Sequence, residues 1–287
     1  MLRTLAAAQR SRVLLGGPGL TTPEPLFETT GMLIEAPNWS LDGSALYLNG
    51  AGKLWRLPLS APGLTEVPFE GLPDINNDHV LAPDGDHVFM SANDGHVYRG
   101  ALTGGAVVRV TPDDGHWHFL HGVSPDGERL AYVELTTFDE PGRLVVLPLG
   151  GAPQRVPAGD GHLDGPEWTP DGRSILLNTE SFTSTPGHAQ LARIPDGGGD
   201  LERLVTSDTV DWFPHLSPDA RYGSYLSFPA GTLGHPADLD VVVHVVDAGD
   251  WTQDLQTYPL FGGQGTLNVN GWAPDGDRFA FVSYPLH

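Results

Sequence analysis

Polar and titratable side chains are concentrated in six short segments of the chain, each a few residues before a tight-turn sequence. These segments supply the following imidazoles, carboxylates and amides: Glu35 and Asn38; Asn76, Asn77, Asp78 and His79; His116, His118 and His121; His162, Asp164 and Glu167; Asp211 and His215; and Gln264, Asn268 and Asn270. An unperturbed imidazole titrates near neutral pH, and carboxylates and amides hydrogen bond to hydroxyl groups. The combination predicts a site that binds a small polar molecule, a carbohydrate in particular, and exchanges protons with it.

Four of these residues are candidate catalytic groups. His121 and His215 are the candidate general bases, and Glu35 and Asp164 would fix a histidine tautomer or supply an acid. The candidate substrate-binding residues carry side chains that hydrogen bond to a sugar or stack on it, namely Asn38, Asn77, Asp78, His118, Glu167, Trp212, His235 and Asn268. Asp164 and Glu167 are three residues apart on one predicted strand, so we expect them on opposite faces of that strand.

A metal site is a second possibility at the same place. Three imidazoles and an amide from different segments could together hold a divalent ion such as manganese, calcium or zinc, and the best such set is His79, His121, His215 and Gln264. The sequence contains no HExxH motif, nucleophile elbow, phosphate loop or dinucleotide fingerprint. A purely structural role stays open as well, because polar side chains in a channel also hold ordered water and satisfy strand backbone groups.

The polar segments are positioned by a turn that occurs six times in the chain. It reads Ser-Leu-Asp-Gly at residues 40–43, Ala-Pro-Asp-Gly at 82–85, Ser-Pro-Asp-Gly at 124–127, Thr-Pro-Asp-Gly at 169–172, Ser-Pro-Asp-Ala at 217–220 and Ala-Pro-Asp-Gly at 273–276. Proline presets φ for the first central position, Asp tolerates the second, and Gly accepts a positive φ after it. A β-prone run follows each turn, so every copy predicts a hairpin of two antiparallel strands.

Repeats of about 40–50 residues, each worth about four short strands, are typical of β-propeller blades. We therefore predict an all-β fold, a six-bladed β-propeller of four-stranded antiparallel blades. Two N-terminal strands, near residues 12–15 and 26–28, would complete the last blade and close the ring. This organisation gives an N-terminal arm at residues 1–10 and a single propeller domain at residues 11–287. The first strands of all blades run the same way, so their early, polar residues should meet at one mouth of the channel.

Composition restricts the partners and the chemistry. The chain has no Cys, which removes disulfides, thiolate zinc sites and cysteine nucleophiles. The formal net charge of −21 argues against nucleic acid or an anionic membrane as a partner, because both require basic patches. No apolar run reaches the roughly 18 residues that a membrane helix needs. The apolar start of the chain is interrupted by Gln9 and Arg10, so it does not resemble a secretory signal, and we expect a cytoplasmic protein.

The repeated turn, with a Trp before it and a β-run after it, resembles the repeat of TolB-type propellers over nearly the whole chain. Particular stretches are similar to a free-standing TolB-like subfamily, namely residues 34–39, 76–79, 121–122, 164–167, 212–215, 234–236 and 262–266 with Asn268. The resemblance implies the six-bladed fold, and propellers of this type serve as binding modules, protease gates and enzymes. Compared with TolB itself, the sequence shows no additional N-terminal α/β domain and no evident export signal.

A more distant resemblance is to the oligogalacturonate lyases, which use a manganese site of histidines and a glutamine together with a histidine base. Gln264 is similar to that glutamine, and His215 could match one of the histidines. Where paired histidines follow the glutamine in the lyases, this chain has Asn268 and Asn270. The resemblance implies a lyase or hydrolase acting on a sugar. The alternative is a non-catalytic, transport-related scaffold that holds a peptide or protein on an aromatic rim, for which Trp117, Trp212 and Phe213 are candidates.

Overall fold

The computed structural model describes residues 2–286, which form 25 strands and no helix. Accordingly, no helix in this part of the chain is long and apolar enough to cross a membrane. The strands are numbered in chain order. Blade one contains β3 (Ile34–Trp39), β4 (Ala45–Gly50), β5 (Lys53–Pro58) and β6 (Thr65–Glu66), and blade two contains β8 (Ile75–Leu81), β9 (His87–Ala92), β10 (Val97–Ala101) and β12 (Val108–Arg109). Blade three contains β13 (Trp117–Val123), β14 (Arg129–Leu135), β15 (Arg143–Pro148) and β16 (Gln154–Arg155), and blade four contains β17 (Leu163–Trp168), β18 (Ser174–Thr179), β19 (Gln190–Pro195) and β20 (Glu202–Arg203). Blade five contains β21 (Val210–Leu216), β22 (Tyr222–Phe228), β23 (Ala237–Asp247) and β24 (Asp250–Gly263), and blade six contains β1 (Ser11–Gly16), β2 (Glu24–Thr29) and β25 (Phe279–Ser283). Two further strands, β7 (Phe69–Glu70) and β11 (Gly105–Ala106), lie outside the blades.

The prediction of an all-β, six-bladed propeller is confirmed by the sheet topology. Blades one to five are four-stranded antiparallel sheets, and their first strands, β3, β8, β13, β17 and β21, each contact the first strand of a neighbouring blade. Strands β7 and β11 form a small parallel sheet between blades one and two. The first strands therefore surround a common channel, as the sequence predicts.

Both ends of the chain contribute to blade six. Strand β1 pairs with β25, so that Val13 lies opposite Val282, and β1 also pairs with β2, so that Val13 lies opposite Phe27. This confirms that two N-terminal strands complete the last blade. A further bridge joins Gln9 to Leu286 just outside the blade. The pairing of β1 with β25 therefore joins the two ends of the chain within one blade and closes the ring.

The innermost segment of blade six differs from the predicted regular strand. It meets β25 at separate points: Val282 N–H donates to Thr266 O at 3.0 Å, Ala280 N–H donates to Gly271 O at 2.9 Å, and an isolated bridge pairs Trp272 with Phe279. Two residues of β25 thus correspond to five residues of the inner segment, so residues 267–270 bulge away from the sheet. This bulge brings the main-chain carbonyls of blade six into the channel, where they contact side chains of other blades.

The first strands of blades one to five also break their register close to the mouth. The breaks fall between Glu35 and Asn38, Ile75 and His79, Leu120 and Gly122, Asp164 and Glu167, and Trp212 and His215. Ala36, Gly165 and Phe213 have positive φ angles of 52°, 63° and 57° at these points, and each is followed by a proline. A bulge redirects the side chains on either side of it. Residues before and after each break can therefore belong to different clusters.

The apolar core lies between neighbouring blades. One buried cluster packs Trp212 and Val243 of blade five against Trp272 and Phe281 of blade six. Other clusters join the remaining neighbours in the same way. Since burial of apolar side chains is satisfied between the sheets, the channel itself is left to polar groups.

The repeated turn has the same geometry in blades one and five. In blade one the N–H of Gly43 donates to Ser40 O at 2.9 Å, and Asp42 accepts the hydroxyl of Ser40 at 2.7 Å. In blade five Ala220 takes the place of the glycine and keeps the positive φ, at 55°. For a residue with a Cβ atom this conformation costs about 1–2 kcal/mol.

We predict that Ala220→Gly stabilises the protein by about 0.5–1 kcal/mol, because the relief of backbone strain exceeds the added entropy of glycine in the unfolded chain. The matched control is Gly43→Ala, where a Cβ atom meets nothing within 4 Å and only the φ of 71° opposes it. This control should lose about 1 kcal/mol of unfolding free energy. Denaturant unfolding of both variants measures the two changes, and a destabilised Ala220→Gly variant would contradict the assignment of strain.

Candidate functional site

A pocket of about 430 Å³ lies at the mouth of the channel where the first strands begin. One side of the pocket is polar and includes Asn76, Asn77, Asp78, Asn93, His121, His162, Asp164, His235 and Gln264. The other side is apolar and consists of Phe119, Val133, Leu135 and Phe138. A larger groove of about 840 Å³ lies among the turns at the opposite ends of the strands of blades two and three, and it contains none of the predicted site residues. The mouth pocket is therefore the candidate site.

His121 is the centre of the polar side. Its Nε2 lies 2.9 Å from Asp164 Oδ1 and 3.8 Å from Asp78 Oδ1. Its Nδ1 lies 3.3 Å from the main-chain oxygen of Asn268, in the bulge of blade six. Both ring nitrogens thus face oxygen atoms that accept hydrogen bonds, an arrangement satisfied by a doubly protonated imidazolium.

The environments of the three residues move their pKa values apart. Burial alone would lower the pKa of His121, but the charges of Asp78 and Asp164 outweigh burial and raise that pKa to about 9. Burial raises the pKa of Asp78 to about 6, against the opposing charge of His121. The pKa of Asp164 lies well below its usual value because the charge of His121 and hydrogen bonds from His121 and His235 outweigh its burial. Between about pH 6 and pH 9 the pocket therefore contains an imidazolium and two carboxylates.

This protonation state bears on the roles predicted from the sequence. A protonated imidazole donates a proton, so the environment favours His121 as an acid, and its predicted role as a base stays a prediction. Asp78, predicted only to bind substrate, has the pKa expected of a base that works near neutral pH.

His235 and Gln264 extend the polar side toward the solvent. His235 Nε2 lies 3.5 Å from Asp164 Oδ2, and its Nδ1 is hydrogen bonded to Gln264 Oε1. The amide of Gln264 in turn donates to Asn77 Oδ1 at 3.2 Å. Trp212 packs behind His235, with ring centroids 4.5 Å apart, and is only 1% exposed. Trp212 therefore supports His235. The prediction that its indole ring binds substrate is not met, because the ring is buried.

His215 and Glu167 form a separate cluster in the channel and do not line the mouth pocket. His215 Nδ1 lies 2.6 Å from Glu167 Oε2, and its Nε2 lies 2.9 Å from the main-chain oxygen of Leu267. The other carboxylate oxygen of Glu167 accepts the amide of Asn270 at 2.6 Å. The expectation of opposite faces is not met, because Asp164 and Glu167 pair with Asn178 and Leu176, which are two residues apart on β18. The register break brings both side chains toward the channel, where they serve different clusters. This network joins blades four, five and six.

Asn38 and His79 form the corresponding contact on the other side of the channel. His79 Nδ1 lies 3.0 Å from Asn38 Oδ1, and the amide of Asn38 donates to Asn270 O at 2.8 Å. Burial lowers the pKa of His79 to about 3, so this imidazole is neutral. The main chain of Asn268 contacts His121, while its side-chain oxygen accepts the N–H of Gly265 at 2.7 Å.

The four residues predicted as metal ligands are not assembled as a ligand set. Both nitrogens of His121 and both nitrogens of His215 face hydrogen-bond acceptors. His79 faces Asn38, and Gln264 faces His235 and Asn77. Nε2 of His79 has no hydrogen-bond partner among the described residues, but His79, His121 and His215 do not bring their ring nitrogens together as one cluster there. The residues present therefore do not fit a shared metal site of three imidazoles and an amide.

Glu35 lies beside the mouth pocket, in a smaller cavity of about 190 Å³ that it shares with Arg3. Arg3 Nη1 donates to Glu35 Oε1 at 3.0 Å and to Gln264 O at 2.6 Å. Its Nη2 donates to Asp238 Oδ1 at 3.1 Å. Burial raises the pKa of Glu35, although Arg3 opposes that shift. The N-terminal arm thus brings a cation to the edge of the mouth.

Sequence reasoning missed Arg3 and the apolar side of the pocket. Nothing in the sequence of the arm indicates that it lies against blades one and five. On the apolar side, Phe119 lies on β13 and Phe138 lies in the β14–β15 connection, where it is 67% exposed. His118, predicted to bind substrate, lies outside the pocket and contacts Gly95 and Asp114 between blades two and three.

The fold and the mouth define a single-chain β-propeller with a titratable pocket at one end of its channel. No family model matches the sequence. An uncharacterized protein of Agrobacterium fabrum is 37% identical over 262 residues, which cover 89% of this chain and 86% of the relative. A solved structure from Agrobacterium tumefaciens, described as a candidate TolB, has a TM-score of 0.88 and 34% identity over 97% of this chain and 99% of that one.

The chain belongs to this TolB-like family of six-bladed propellers. An oligogalacturonate lyase in complex with manganese has a TM-score of 0.55 and 16% identity, over 91% of this chain and 75% of the lyase. At that identity the likeness concerns the fold alone.

We predict that the ring of His121 titrates near pH 9, and that Asp164→Asn lowers this pKa by about one unit or more because the closest opposite charge is removed. NMR titration of the histidine ring protons measures both values, and a His121→Gln variant assigns the signal. The matched control is His87, a surface histidine paired with Asp84, whose ring-proton signals at any one pH should be the same in the native protein and in Asp164→Asn. A His121 signal that titrates below pH 7 in the native protein would contradict the proposed imidazolium.

Proposed function

We propose that the mouth pocket binds a carbohydrate and that Asp78 and His121 act on it as the proton-transfer pair of a lyase or hydrolase. The observation that carries the proposal is the pairing of these two groups, 3.8 Å apart, on one side of a pocket whose other side is apolar. The volume of about 430 Å³ falls within the usual range of small-molecule sites.

The two sides of the pocket suit the two surfaces of a sugar ring. A sugar presents hydroxyl groups at its edge and C–H groups on its faces. Asn77, His235 and Gln264 offer donors and acceptors to hydroxyls. Phe119 and Phe138 offer aromatic rings to the C–H face, and their rings lie 6.4 Å apart in an edge-on arrangement.

In this proposal Asp78 is the base and His121 the acid. The carboxylate of Asp78 would take a proton, either from water in a hydrolase or from a ring carbon in a lyase. The imidazolium of His121 would give its proton to the oxygen that leaves as the C–O bond breaks. Asp164 holds His121 in position and keeps it protonated until that step. The proton taken by Asp78 and the proton lost by His121 balance within one turnover.

We expect a bell-shaped dependence of kcat/KM on pH. Activity should rise through about pH 6, as Asp78 loses its proton, and fall through about pH 9, as His121 loses its own. Rates on an active oligosaccharide between pH 5 and pH 10 measure both limbs. A profile that still rises above pH 9 would contradict the role of His121 as an acid.

We expect Asp78→Asn and His121→Gln each to lower kcat about 10²–10⁴-fold, because each removes a proton-transfer group. A panel of neutral, amino and uronic oligosaccharides should be assayed for new reducing ends and for unsaturated products, which separates hydrolase from lyase activity. The matched control is His87→Gln, a surface histidine that should leave turnover unchanged. Full activity in either pocket variant would contradict the proposal.

The second candidate is a scaffold that holds a protein or peptide at the mouth. It is favoured by Phe138, a large apolar side chain that lines the mouth pocket and is 67% exposed. Exposed apolar groups at a rim are typical of interaction surfaces. This candidate predicts that no sugar of the panel binds and that substitutions at the mouth weaken the binding of a partner rather than a reaction.

A further inference from the structure

We propose that Asp114, His118 and Glu134 bind a divalent transition-metal ion, zinc in the first instance, at a site between blades two and three. The site is separate from the mouth pocket and from the set of histidines predicted as metal ligands. Asp114 lies in the loop before blade three, His118 on β13 and Glu134 on β14. An ion bound there would fix that loop to the two inner strands of blade three.

The fold places the three ligand atoms together. His118 and Glu134 are directly opposite each other in the pairing of β13 with β14, so their side chains share one face. Asp114 precedes His118 by four residues, and its Oδ1 lies 3.4 Å from His118 Nε2. One potential ligand atom from each residue lies within 4.8 Å of the other two. Around a tetrahedral ion with bonds of about 2.1 Å, neighbouring ligands are about 3.4 Å apart.

The imidazole of His118 is prepared as a ligand. Its Nδ1 donates to the main-chain oxygen of Gly95 at 2.6 Å, which leaves the lone pair of the neutral ring on Nε2. The residue is 1% exposed, and no hydrogen bond satisfies Nε2. The ring is held between His96, stacked at 5.8 Å, and Tyr132, edge-on at 5.1 Å. A buried nitrogen that is oriented on one side and unpartnered on the other indicates a missing partner.

Glu134 keeps one oxygen free for the ion. The guanidinium of Arg155 donates two hydrogen bonds to Oε1 of Glu134, and no hydrogen bond from residues 2–286 reaches Oε2. The hydroxyl of Tyr132 is also buried without a partner close by.

The donor set selects the ion. One imidazole nitrogen and two carboxylate oxygens suit zinc or a similar transition ion, whereas calcium prefers oxygen ligands alone. The side chain of Asp114 is 30% exposed, which gives the ion a path of entry and leaves room for a water ligand. None of the three residues lines the mouth pocket, so the expected role of the ion is to stabilise the fold.

The test is a titration of the full chain, stripped with a chelator, with zinc alone. We expect one equivalent to bind and to raise Tm by about 5 °C at a zinc concentration near 100 times Kd. Asp114→Asn and His118→Gln should each weaken this binding at least about 10-fold, and at the same zinc concentration the rise in Tm should then fall to about half or less. X-ray absorption of the loaded protein should show one nitrogen and two or three oxygen ligands.

Two control variants keep the test specific. His96→Gln alters the neighbouring ring without removing a ligand and should retain zinc binding. Asp78→Asn alters the mouth pocket and should also retain it. Asp114 lies in an exposed loop, so Asp114→Asn should fold even if His118→Gln does not. The proposal is overturned if no zinc binds, if Asp114→Asn binds it as well as the native protein, or if Asp78→Asn abolishes binding.

Discussion

The mouth of this propeller depends on the charge pairing of one imidazole. His121 on blade three lies between Asp164 of blade four and Asp78 of blade two, and its second nitrogen reaches the main chain of blade six. Buried charges are tolerated only when they are paired, because an isolated ion loses its hydration without compensation. The three side chains therefore hold one another in place across the channel. The same pairing keeps an acid and a base side by side near neutral pH.

Two departures from regular β structure make this pairing possible. The register breaks in the first strands direct Asp164 to the mouth and Glu167 into the channel, where a regular strand would have continued its alternation. The bulge at residues 267–270 brings main-chain oxygens of blade six to His121 and His215. Both irregularities lie in the innermost strands, around the channel. The outer strands of each blade pair regularly and hold these irregular inner segments in position.

The sequence was sufficient for the fold and for part of the site. The repeated turn is a local signal, which reads Pro-Asp-Gly in four copies, Leu-Asp-Gly in one and Pro-Asp-Ala in one. The six copies determine the number of blades and the direction of every first strand. Asn77, Asp78, His121, Asp164, His235 and Gln264 meet in the pocket for that reason. The positions of His215, Glu167 and His79 were not predictable, because a register break of one or two residues decides which cluster a side chain joins. Arg3 could not be placed either, since only the packing of the arm against blades one and five brings it to the mouth.

The most direct measurement of the central claim is a neutron crystal structure of the protein near pH 7.5, which locates the protons on the side chains of the mouth. The charge pairing predicts deuterium on both Nδ1 and Nε2 of His121 and none on the carboxylates of Asp78 and Asp164. That result would establish an acid and a base in contact within one pocket. A neutral His121, with a single deuterium on its ring, would contradict the charge pairing and with it the proposed chemistry.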